Sequence, residues 1–572
     1  MASVNITIDD KKIVAQTGQT IYEAATAVGI DIPHLCHHPA LPPEGACRMC
    51  LVEVEKQRVL QPACTFPVTE GMVVHTESPK VVEARKFVLQ LLFSERNHFC
   101  MYCQMSGDCE LQDLAYRYNL DHWIYNRPYP DFPVDSSREY FVMDHNRCIL
   151  CRRCIRACAD LVGNYTLGLK NRGAATMITA DNDVPFGDST CISCGTCLSV
   201  CPTGALMDRK SAYLGREVEV EHIKSTCTAC SVGCGLDLIT KDNHVLRIEA
   251  DWDAKPNRGL LCEKGRFEPL WDSRKRAILP MIKRNGKWRK ADWEEALDLM
   301  ALKLGETKGA VAGLASGQAT NESLALLAKM LREGLDSRHL AMLSGSLAEP
   351  SEDCDLTELD LVDFFVVVGA DLTENHQVVG FTVKRKTTKR TARLALISEG
   401  ENGLAAYAMR EWGPDEVDKA IEMAVSAENP AVIYGMEASK ETLRQLHEAL
   451  DGKAPFVGLT PAANARGAAA AGFNGSLNGS AKGLYILACE EKEIPSDVLA
   501  RAKAADFVAV QASYLEPWAD IADVILPSPV SFEKQGTIIN NEGRTLKITA
   551  AVKTSLKSEG EVLENLIQRL GL

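Results

Sequence analysis

The sequence lacks any long hydrophobic run. Its most apolar stretch, Phe364–Ala370, has seven residues, whereas a membrane-spanning helix needs about 20. The N-terminal residues show neither a basic start with an apolar core nor a twin arginine, so no export signal is expected. These absences argue against a membrane span and predict a cytoplasmic location.

Positive charge is also in short supply. The 63 Lys and Arg residues are outnumbered by 77 Asp and Glu residues, which gives a net charge of −14. A nucleic-acid partner is therefore not expected, because such proteins carry basic patches. Hydrophobic residues make up 46% of the chain and charged residues 24%, which is typical of a globular protein. A length of 572 residues suggests about four domains.

Motifs for nucleotide binding and catalysis are missing as well. No predicted strand is followed by G-x-G-x-x-G, no P-loop is present, and Gly309, Gly313 and Gly317 have the wrong spacing. The sequence contains no paired acid/base residues and no nucleophile with a plausible partner. We therefore expect neither NAD nor flavin in this chain, and we assign no catalytic residues.

Cysteine, by contrast, is abundant in absolute number. The chain has 21 cysteines, an odd count that is too sparse for a disulfide scaffold in a protein of this length. Metal binding is favoured over disulfides in a long chain with a cytosolic character. Nineteen of the cysteines fall into groups with short spacings, and only Cys354 and Cys489 remain outside them, as free structural cysteines.

The first group is Cys36, Cys47, Cys50 and Cys64. The preceding residues predict a strand over Val4–Ile8, a turn, a strand over Ile13–Ala15 and a helix over Thr20–Val28. Plant-type 2Fe–2S ferredoxins use C-x4-C-x2-C and a distant fourth cysteine, whereas the first gap here is ten residues. The segment resembles the β-grasp 2Fe–2S domain of respiratory complex I and iron hydrogenases. A zinc ion bound by four thiolates is the alternative.

The second group is His98, Cys100, Cys103 and Cys109. Three thiolates leave one iron of a 4Fe–4S cluster without a ligand, and His98 is the nearby donor. An imidazole in place of a thiolate should raise the reduction potential. The group is similar to the His-x3-Cys pattern of complex I, and its shorter gap resembles the small diaphorase subunit of NAD-linked nickel–iron hydrogenases. The alternative is that His98 is a surface histidine.

Two consecutive runs follow, and each has the spacing C-x2-C-x2-C-x3-C. Cys148, Cys151, Cys154 and Cys158 form the first run; Cys191, Cys194, Cys197 and Cys201, followed by Pro202, form the second. This spacing is typical of bacterial two-cluster ferredoxins, in which the fourth cysteine of each run binds the other cluster. The third ligand set is therefore predicted as Cys148, Cys151, Cys154 and Cys201. The fourth is predicted as Cys191, Cys194, Cys197 and Cys158.

The fifth group is Cys227, Cys230, Cys234 and, after 27 residues, Cys262. It resembles the N-terminal 4Fe–4S domain of the molybdopterin oxidoreductase family and of the large iron–sulfur subunit of complex I. Lys264 follows the last cysteine; in molybdenum enzymes a basic residue there lies between cluster and pterin, and a solvated lysine is the alternative. Together, these resemblances imply one 2Fe–2S and four 4Fe–4S clusters.

The C-terminal half alternates short apolar runs with amphipathic segments, which predicts a parallel α/β sheet. Ala462–Ala471 is predicted as a loop or loose helix. The predicted strands are Phe364–Val368, Arg393–Ile397, Ala431–Tyr434, Leu484–Ala488, Phe507–Val510 and Val524–Leu526. The predicted helices are Asn321–Leu335, Pro414–Ala427 and Ser439–Leu450.

This half also resembles the molybdopterin family, through segments such as Gly317-Gln-Ala-Thr-Asn-Glu322 and Gly536-Thr-Ile-Ile-Asn-Asn-Glu-Gly-Arg544. Family enzymes bind the metal through Cys, selenocysteine or Ser and continue into a further domain. The corresponding stretch here, Asp336–Ser351, has no cysteine and ends shortly before Cys354. It offers only Ser337, Ser344, Ser346 and Ser351. We therefore expect a degenerate scaffold without molybdopterin, as in complex I.

The resemblance implies a multidomain α+β and α/β protein with five parts. These are a β-grasp 2Fe–2S domain (1–78), a His/Cys3 4Fe–4S domain (79–138), a two-cluster ferredoxin-like domain (139–215), a 4Fe–4S domain of the molybdopterin-oxidoreductase type (216–278) and a shortened molybdopterin-oxidoreductase-like α/β domain (279–572).

Clusters held by thiolates carry single electrons, so five of them predict an electron relay. The resemblance implies the iron–sulfur subunit of a soluble NAD(P)-linked hydrogenase, electron-bifurcating with ferredoxin as second carrier. The implied partners are a flavoprotein that binds NAD(P), a small 2Fe–2S subunit and hydrogenase catalytic subunits. The alternatives are a formate dehydrogenase or complex I-like quinone reductase as terminal enzyme, a self-contained molybdenum enzyme, and a zinc-bound scaffold.

Overall fold

The computed structural model describes residues 2–125, 131–345, 347, 351–450, 452–475 and 481–571. Ser346, one of the serines considered above, lies outside these residues. The chain divides into an N-terminal unit, Met1–Val220, and a C-terminal unit, Glu221–Leu572. Among the described helices, none has the length and hydropathy required to cross a bilayer.

The N-terminal unit begins with a five-stranded sheet and a short helix, Ile21–Thr26. The sheet order is Lys11–Gln16, Ser3–Ile8, Val73–His75, Leu51–Val54 and Gln61–Pro62. Asp9 and Asp10 turn between the first two strands with φ of 45° and 65°, a backbone conformation that suits Asp in tight hairpins. Thr20 and Glu23 form a capping box at the start of the helix. The predicted hairpin and helix are both confirmed.

The rest of this unit contains short elements that carry the cysteines. Two longer helices, Pro79–Glu95 and Glu110–Arg117, flank the second group. A hairpin pairs Leu167–Lys170 with Met177–Ala180. A three-stranded sheet has the order Leu206–Asp208, Phe141–Asp144, Val134–Asp135. Short helical segments are Cys100–Tyr102, His145–Arg147, Arg153–Arg156, Ala157–Leu161, Gly173–Ala175, Phe186–Asp188, Thr196–Ser199 and Glu217–Glu219.

The C-terminal unit begins with an antiparallel sheet of Glu221–Thr226, Gly235–Lys241 and His244–Ala250. Two further sheets follow, and their parallel strands are fully buried. The larger has the order Lys287–Lys290, Met281–Arg284, Val524–Pro527, Phe507–Ala512, Gly483–Cys489, Val311–Ala315 and His339–Met342; the smaller has the order Arg410–Trp412, Arg393–Ile397, Phe364–Val368, Pro430–Tyr434 and Phe456–Gly458. A separate hairpin pairs Gly536–Ile539 with Thr545–Ile548.

Helices cover these sheets, as expected for parallel strands that are apolar on both faces. They are Glu263–Arg266, Glu268–Trp271, Trp293–Glu306, Asn321–Lys329, Gln377–Thr388, Val417–Val425, Lys440–Leu450, Ala465–Ala471, Ser496–Ala504 and Glu559–Arg569; shorter helical turns are Met330–Gly334, Leu356–Asp360, Gly403–Tyr407, Pro414–Glu416 and Trp518–Asp520.

The six predicted strands of the C-terminal half are confirmed, but they belong to two parallel sheets instead of one. The predicted helix Asn321–Leu335 is α-helical only to Lys329 and continues as a π-helical turn. Ala465–Ala471 is a helix, with Gly472 in the left-handed conformation at its end. The strand Val311–Ala315 was not predicted, because its small residues Ala312 and Gly313 weaken the apolar signal.

Candidate metal centres

The first set occupies a loop that runs from the helix Ile21–Thr26 to the strand Leu51–Val54. The backbone N–H of Cys36 donates to Cys47 Sγ at 3.4 Å, and that of Cys47 donates to Cys36 Sγ at 3.5 Å. Cys50 Sγ and Cys64 Sγ are 3.4 Å apart. The contact with Cys47 lowers the pKa of Cys36 to about 5. The structure therefore brings the four predicted ligands together, with Cys36 favoured as a thiolate.

The second set surrounds a small pocket lined by His98, Cys100, Cys103 and Cys109. The His98 ring faces the backbone of Leu92, and burial lowers its pKa to about 4. Its Nε2 is buried and has no hydrogen-bond partner. A neutral imidazole with a free nitrogen, aimed into a pocket of three thiols, fits a metal ligand. A surface position for His98, the alternative considered above, is wrong.

Gly204 completes the wall of this second pocket. A Cβ at Gly204 would lie 2.7 Å from Cys103 Sγ, which is closer than real Cβ atoms approach sulfur. Burial raises the pKa of Cys109 to about 12. Several buried thiols can become thiolates together only beside a compensating cation, so the donor chemistry fits iron.

The third and fourth sets show the exchange that the repeated spacing predicts. Burial raises the pKa of Cys154 well above its usual value, and Cys151, Cys148 and Cys201 raise it further. Cys201 thus lies with the first run instead of its own. Burial likewise raises the pKa of Cys158 to about 11, with Cys194 and Cys191 as neighbouring thiols. The structure places the fourth cysteine of each run beside the other run.

The backbone of the two runs repeats as the sequence does. Leu150 and Ser193 occupy equivalent positions and have φ of 53° and 52°; Arg152 and Gly195 are also equivalent and have φ of 61° and 69°. Each run therefore turns twice through the left-handed region, which Leu and Arg adopt only under constraint. The same constrained turns in two sequences indicate that both loops enclose a group of the same shape.

The fifth set lies in the C-terminal unit, where the loop between Glu221–Thr226 and Gly235–Lys241 meets Cys262. The N–H of Cys227 donates to the carbonyl of Cys234 at 2.8 Å. Burial raises the pKa of Cys230 to about 12, with the Cys262 thiol as the next cause. A Cβ at Gly265 would lie 3.2 Å from Cys227 Sγ. These four cysteines also form one buried group.

The two remaining cysteines stand apart. Cys489 Sγ donates to Glu559 Oε1 at 3.3 Å, and Cys354 Sγ donates to the carbonyl of Asp355 at 3.7 Å. All 21 cysteines are free thiols. In the described part of the chain, no three His, Cys, Asp or Glu side chains have the geometry of a single-ion site. The thiolates of a 4Fe–4S cluster bind different irons, and so they stand further apart than the ligands of one ion.

A cleft beside the fifth set is where a pterin would be sought. Arg274 pairs with Asp272 at 2.8 Å, and Lys492 pairs with Glu268. Burial raises the pKa of Glu490, which lines the same cleft. Carboxylates outnumber cations among its lining residues: Glu268, Asp272, Glu490, Glu491 and Glu493 against Lys264, Arg274 and Lys492. This charge does not fit a phosphate-bearing pterin, because phosphate needs unpaired cations.

The serines of the former metal-binding stretch have structural partners or none. Ser337 Oγ donates to the carbonyl of Val311. Ser351 Oγ donates to the carbonyl of Asn541 at 3.2 Å and accepts the N–H of Gly458 at 3.0 Å. Ser344 Oγ is buried without a hydrogen-bond partner. Lys264 Nζ donates to Asn375 Oδ1 at 2.7 Å, so it is a bonded lysine in this structure.

Family models match five consecutive segments of the chain. They describe a 2Fe-2S iron-sulfur cluster binding domain (1–79), the iron-sulfur binding region of NADH-ubiquinone oxidoreductase-G (85–123), the ferredoxin-like domain of NADH-quinone oxidoreductase subunit 3 (139–207), the molybdopterin oxidoreductase Fe4S4 domain (220–269) and molybdopterin oxidoreductase (276–561). Iron–sulfur domains of both cluster types are therefore present.

Similar proteins include NADH-quinone oxidoreductase subunit 3 of Thermus thermophilus, which is 29% identical over 100% of this chain and 83% of its own. A subunit of the NADH-quinone oxidoreductase of Rhizobium meliloti is 33% identical over 71% of this chain, which spans 49% of that protein. A solved NAD+-reducing NiFe hydrogenase in the H2-reduced state has a chain that is 35% identical over 37% of this chain and 91% of its own, with a TM-score of 0.35.

Proposed function

The chain belongs to the molybdopterin oxidoreductase family, and from that premise we propose that it relays single electrons between active sites on partner subunits. One observation carries this proposal. The structure gathers twenty predicted ligands into five separate buried sets, four of them within the N-terminal unit. A chain of one-electron centres without a catalytic constellation has the composition of a conductor.

We propose that the first set holds a 2Fe–2S cluster and that the second to fifth sets each hold a 4Fe–4S cluster. The ligands are the nineteen cysteines and His98 assigned above. The acidic cleft beside Cys262 supports a scaffold without molybdopterin, and the chain is proposed to bind neither flavin nor NAD. The domain boundaries remain those predicted from the sequence, and the proposed location is the cytoplasm.

The finer proposal is an NAD(P)-linked hydrogenase as the parent complex. It is supported by the short His98-x-Cys100 spacing together with the free, buried Nε2 of His98, because that spacing resembles the small diaphorase subunit of such hydrogenases. In this complex a flavoprotein would split the hydride of NAD(P)H into single electrons. The small 2Fe–2S subunit, the hydrogenase subunits and, in a bifurcating complex, ferredoxin would be the other partners.

A complex I-like NADH:quinone oxidoreductase is the second candidate. The Thermus thermophilus relative favours it, since the similarity extends over the full length of this chain. An NAD-linked formate dehydrogenase would use the same relay with a different terminal enzyme. The three candidates share the electron-transfer role and differ only in the partner that donates or accepts the electrons.

Anaerobic purification with native partners tests both levels of the proposal. The chain alone should be brown and contain about eighteen irons, from one 2Fe–2S and four 4Fe–4S clusters. Iron-free material, or turnover of hydrogen or formate by the isolated chain, would contradict the relay. A nickel-containing partner would support the hydrogenase, a molybdenum or tungsten partner would support formate dehydrogenase, and membrane subunits would support the quinone reductase.

A further inference from the structure

Two buried arginines lie three residues apart on the short helix Arg153–Arg156, which also carries Cys154. Arg153 is 2% exposed and Arg156 is 8% exposed. Buried guanidinium groups are rare unless they are paired or hydrogen-bonded. The partners of these two side chains therefore indicate what the arginines do.

Arg156 reaches the loop of the first set. One terminal nitrogen donates to the carbonyl of Pro42 and the other donates to the carbonyl of Cys36. Arg156 Nε is also 3.9 Å from a carboxylate oxygen of Glu44 in the same loop. The guanidinium fork thus bonds two points of the loop at once, which a lysine with its single nitrogen cannot reproduce.

Arg153 reaches the segment of the second set. Its two terminal nitrogens donate to the two carboxylate oxygens of Glu110 at 2.5 and 2.8 Å, and Glu110 directly follows Cys109. Arg153 also donates to the carbonyl of Val200 at 3.4 Å, next to Cys201. Burial lowers the pKa of Arg153, but Glu110 and the Cys151 and Cys201 thiols outweigh it and raise the net pKa.

These contacts converge on one short segment. The helix supplies Cys154 to the third set, and its continuation supplies Cys158 to the fourth. Its two arginines bond residues of the first set's loop and the neighbour of a second-set cysteine. We propose that Arg153 and Arg156 are positioning residues that fix the distances between the cluster sites and supply buried positive charge that favours cluster reduction.

The proposal rests on the relay function and deepens it. Electron tunnelling falls steeply with distance, so a rigid junction between sites keeps the transfer rate high. Reduction adds a negative charge to a cluster, and a buried cation nearby stabilises that charge because screening by water is weak there. Geometry and charge make separate predictions, which substitutions at Arg156 can distinguish.

The experiment uses the full chain with its clusters, titrated with a reductant and followed by electron paramagnetic resonance. Arg156→Met should shift the midpoint potential of the first centre to more negative values by a tenfold change in its reduction equilibrium, about 59 mV for one electron. Arg153→Met should shift the third centre in the same direction. Arg156→Lys should retain the potential but weaken the magnetic coupling between the first centre and its neighbours.

Arg152→Asn is the matched control. It removes one positive charge from the adjacent residue, but Arg152 is largely exposed and pairs with Glu44 at the surface, so water should screen its loss. Asparagine tolerates the left-handed conformation of this position.

Two outcomes decide the proposal. If Arg156→Met loses the first centre altogether, Arg156→Lys decides, and wild-type coupling in that variant overturns the positioning role. If the Met variants keep all centres at wild-type potentials, as Arg152→Asn should, the role of charge is overturned while the relay function stands. Wild-type protein without iron would instead contradict the proposed function itself.

Discussion

The Lys534 ammonium and the Glu559 carboxylate form an ion pair in the interior of the C-terminal unit, with 3.0 Å between Nζ and Oε1 and side chains that are 4% and 2% exposed. Ser528 Oγ donates to the same oxygen at 2.7 Å. Glu559 is the first residue of the helix Glu559–Arg569, where a negative charge is also favoured by the helix dipole. The pair therefore attaches this helix to the large sheet.

Removing one partner should be costly. Lys534→Met is expected to destabilise the protein by about 3–5 kcal/mol, because it leaves the Glu559 charge buried and unpaired. Urea unfolding followed by circular dichroism measures this. Lys492→Met is the control, since Lys492 pairs with Glu268 at the surface and should contribute less than about 1 kcal/mol. Equal losses in the two variants would contradict the prediction.

The exchange of Cys158 and Cys201 between runs predicts which centre each substitution disturbs. Cys201→Ser should alter the centre bound by the first run, and Cys158→Ser should alter the one bound by the second. Electron paramagnetic resonance of the reduced protein, with iron analysis, distinguishes the two. Cys354→Ser, outside every set, should leave the iron content unchanged. The prediction fails if Cys201→Ser and Cys191→Ser disturb the same centre.

His98 predicts a change of potential as well as a loss of binding. His98→Ala should disturb one paramagnetic signal and spare the other four. His98→Cys adds a negative thiolate and should lower the midpoint potential of the second centre, the reverse of the effect of histidine in Rieske centres. His122→Ala, at an exposed histidine, is the control. Five unchanged signals in His98→Ala would show that His98 is not a ligand.

The sequence was informative wherever the relevant residues are close together in the chain. The spacing of the cysteines predicted sets that the structure does bring together, and the apolar strand Phe364–Val368 was found as predicted. Contacts between distant residues were not predictable. Arg153 and Glu110, or Lys534 and Glu559, carry no pattern that marks them as partners, because only the fold brings them into contact.

Local conformation was also only partly predictable. The helix over Asn321–Lys329 continues as a π-helical turn, Met330–Gly334, although the apolar periodicity of both parts is that of one helix. The packing of the turn against the core, through the buried Met330 and Leu331, decides its conformation. The burial of His98 likewise depends on tertiary contacts, which neither its spacing nor its neighbours in sequence reveal.

His376 should make the C-terminal unit sensitive to acid. Its Nε2 bonds the carbonyl of Thr460 at 2.8 Å, and burial, with Lys264 as the facing cation, lowers its pKa to about 4. An unfolded chain binds a proton at this residue below about pH 6.5, whereas the folded chain does not until about pH 4. Its stabilising contribution is therefore complete above pH 6.5 and is lost as the pH falls toward 4.

His376→Gln keeps an N–H donor for Thr460 and removes the titrating group. Between pH 7 and pH 5 the variant should lose about 2 kcal/mol less stability than the wild type, as measured by thermal unfolding at both pH values. His244→Gln, at an exposed histidine, should behave as the wild type. If His376→Gln and the wild type lose stability equally on acidification, proton binding at His376 does not set the acid sensitivity, and other buried groups of this unit must do so.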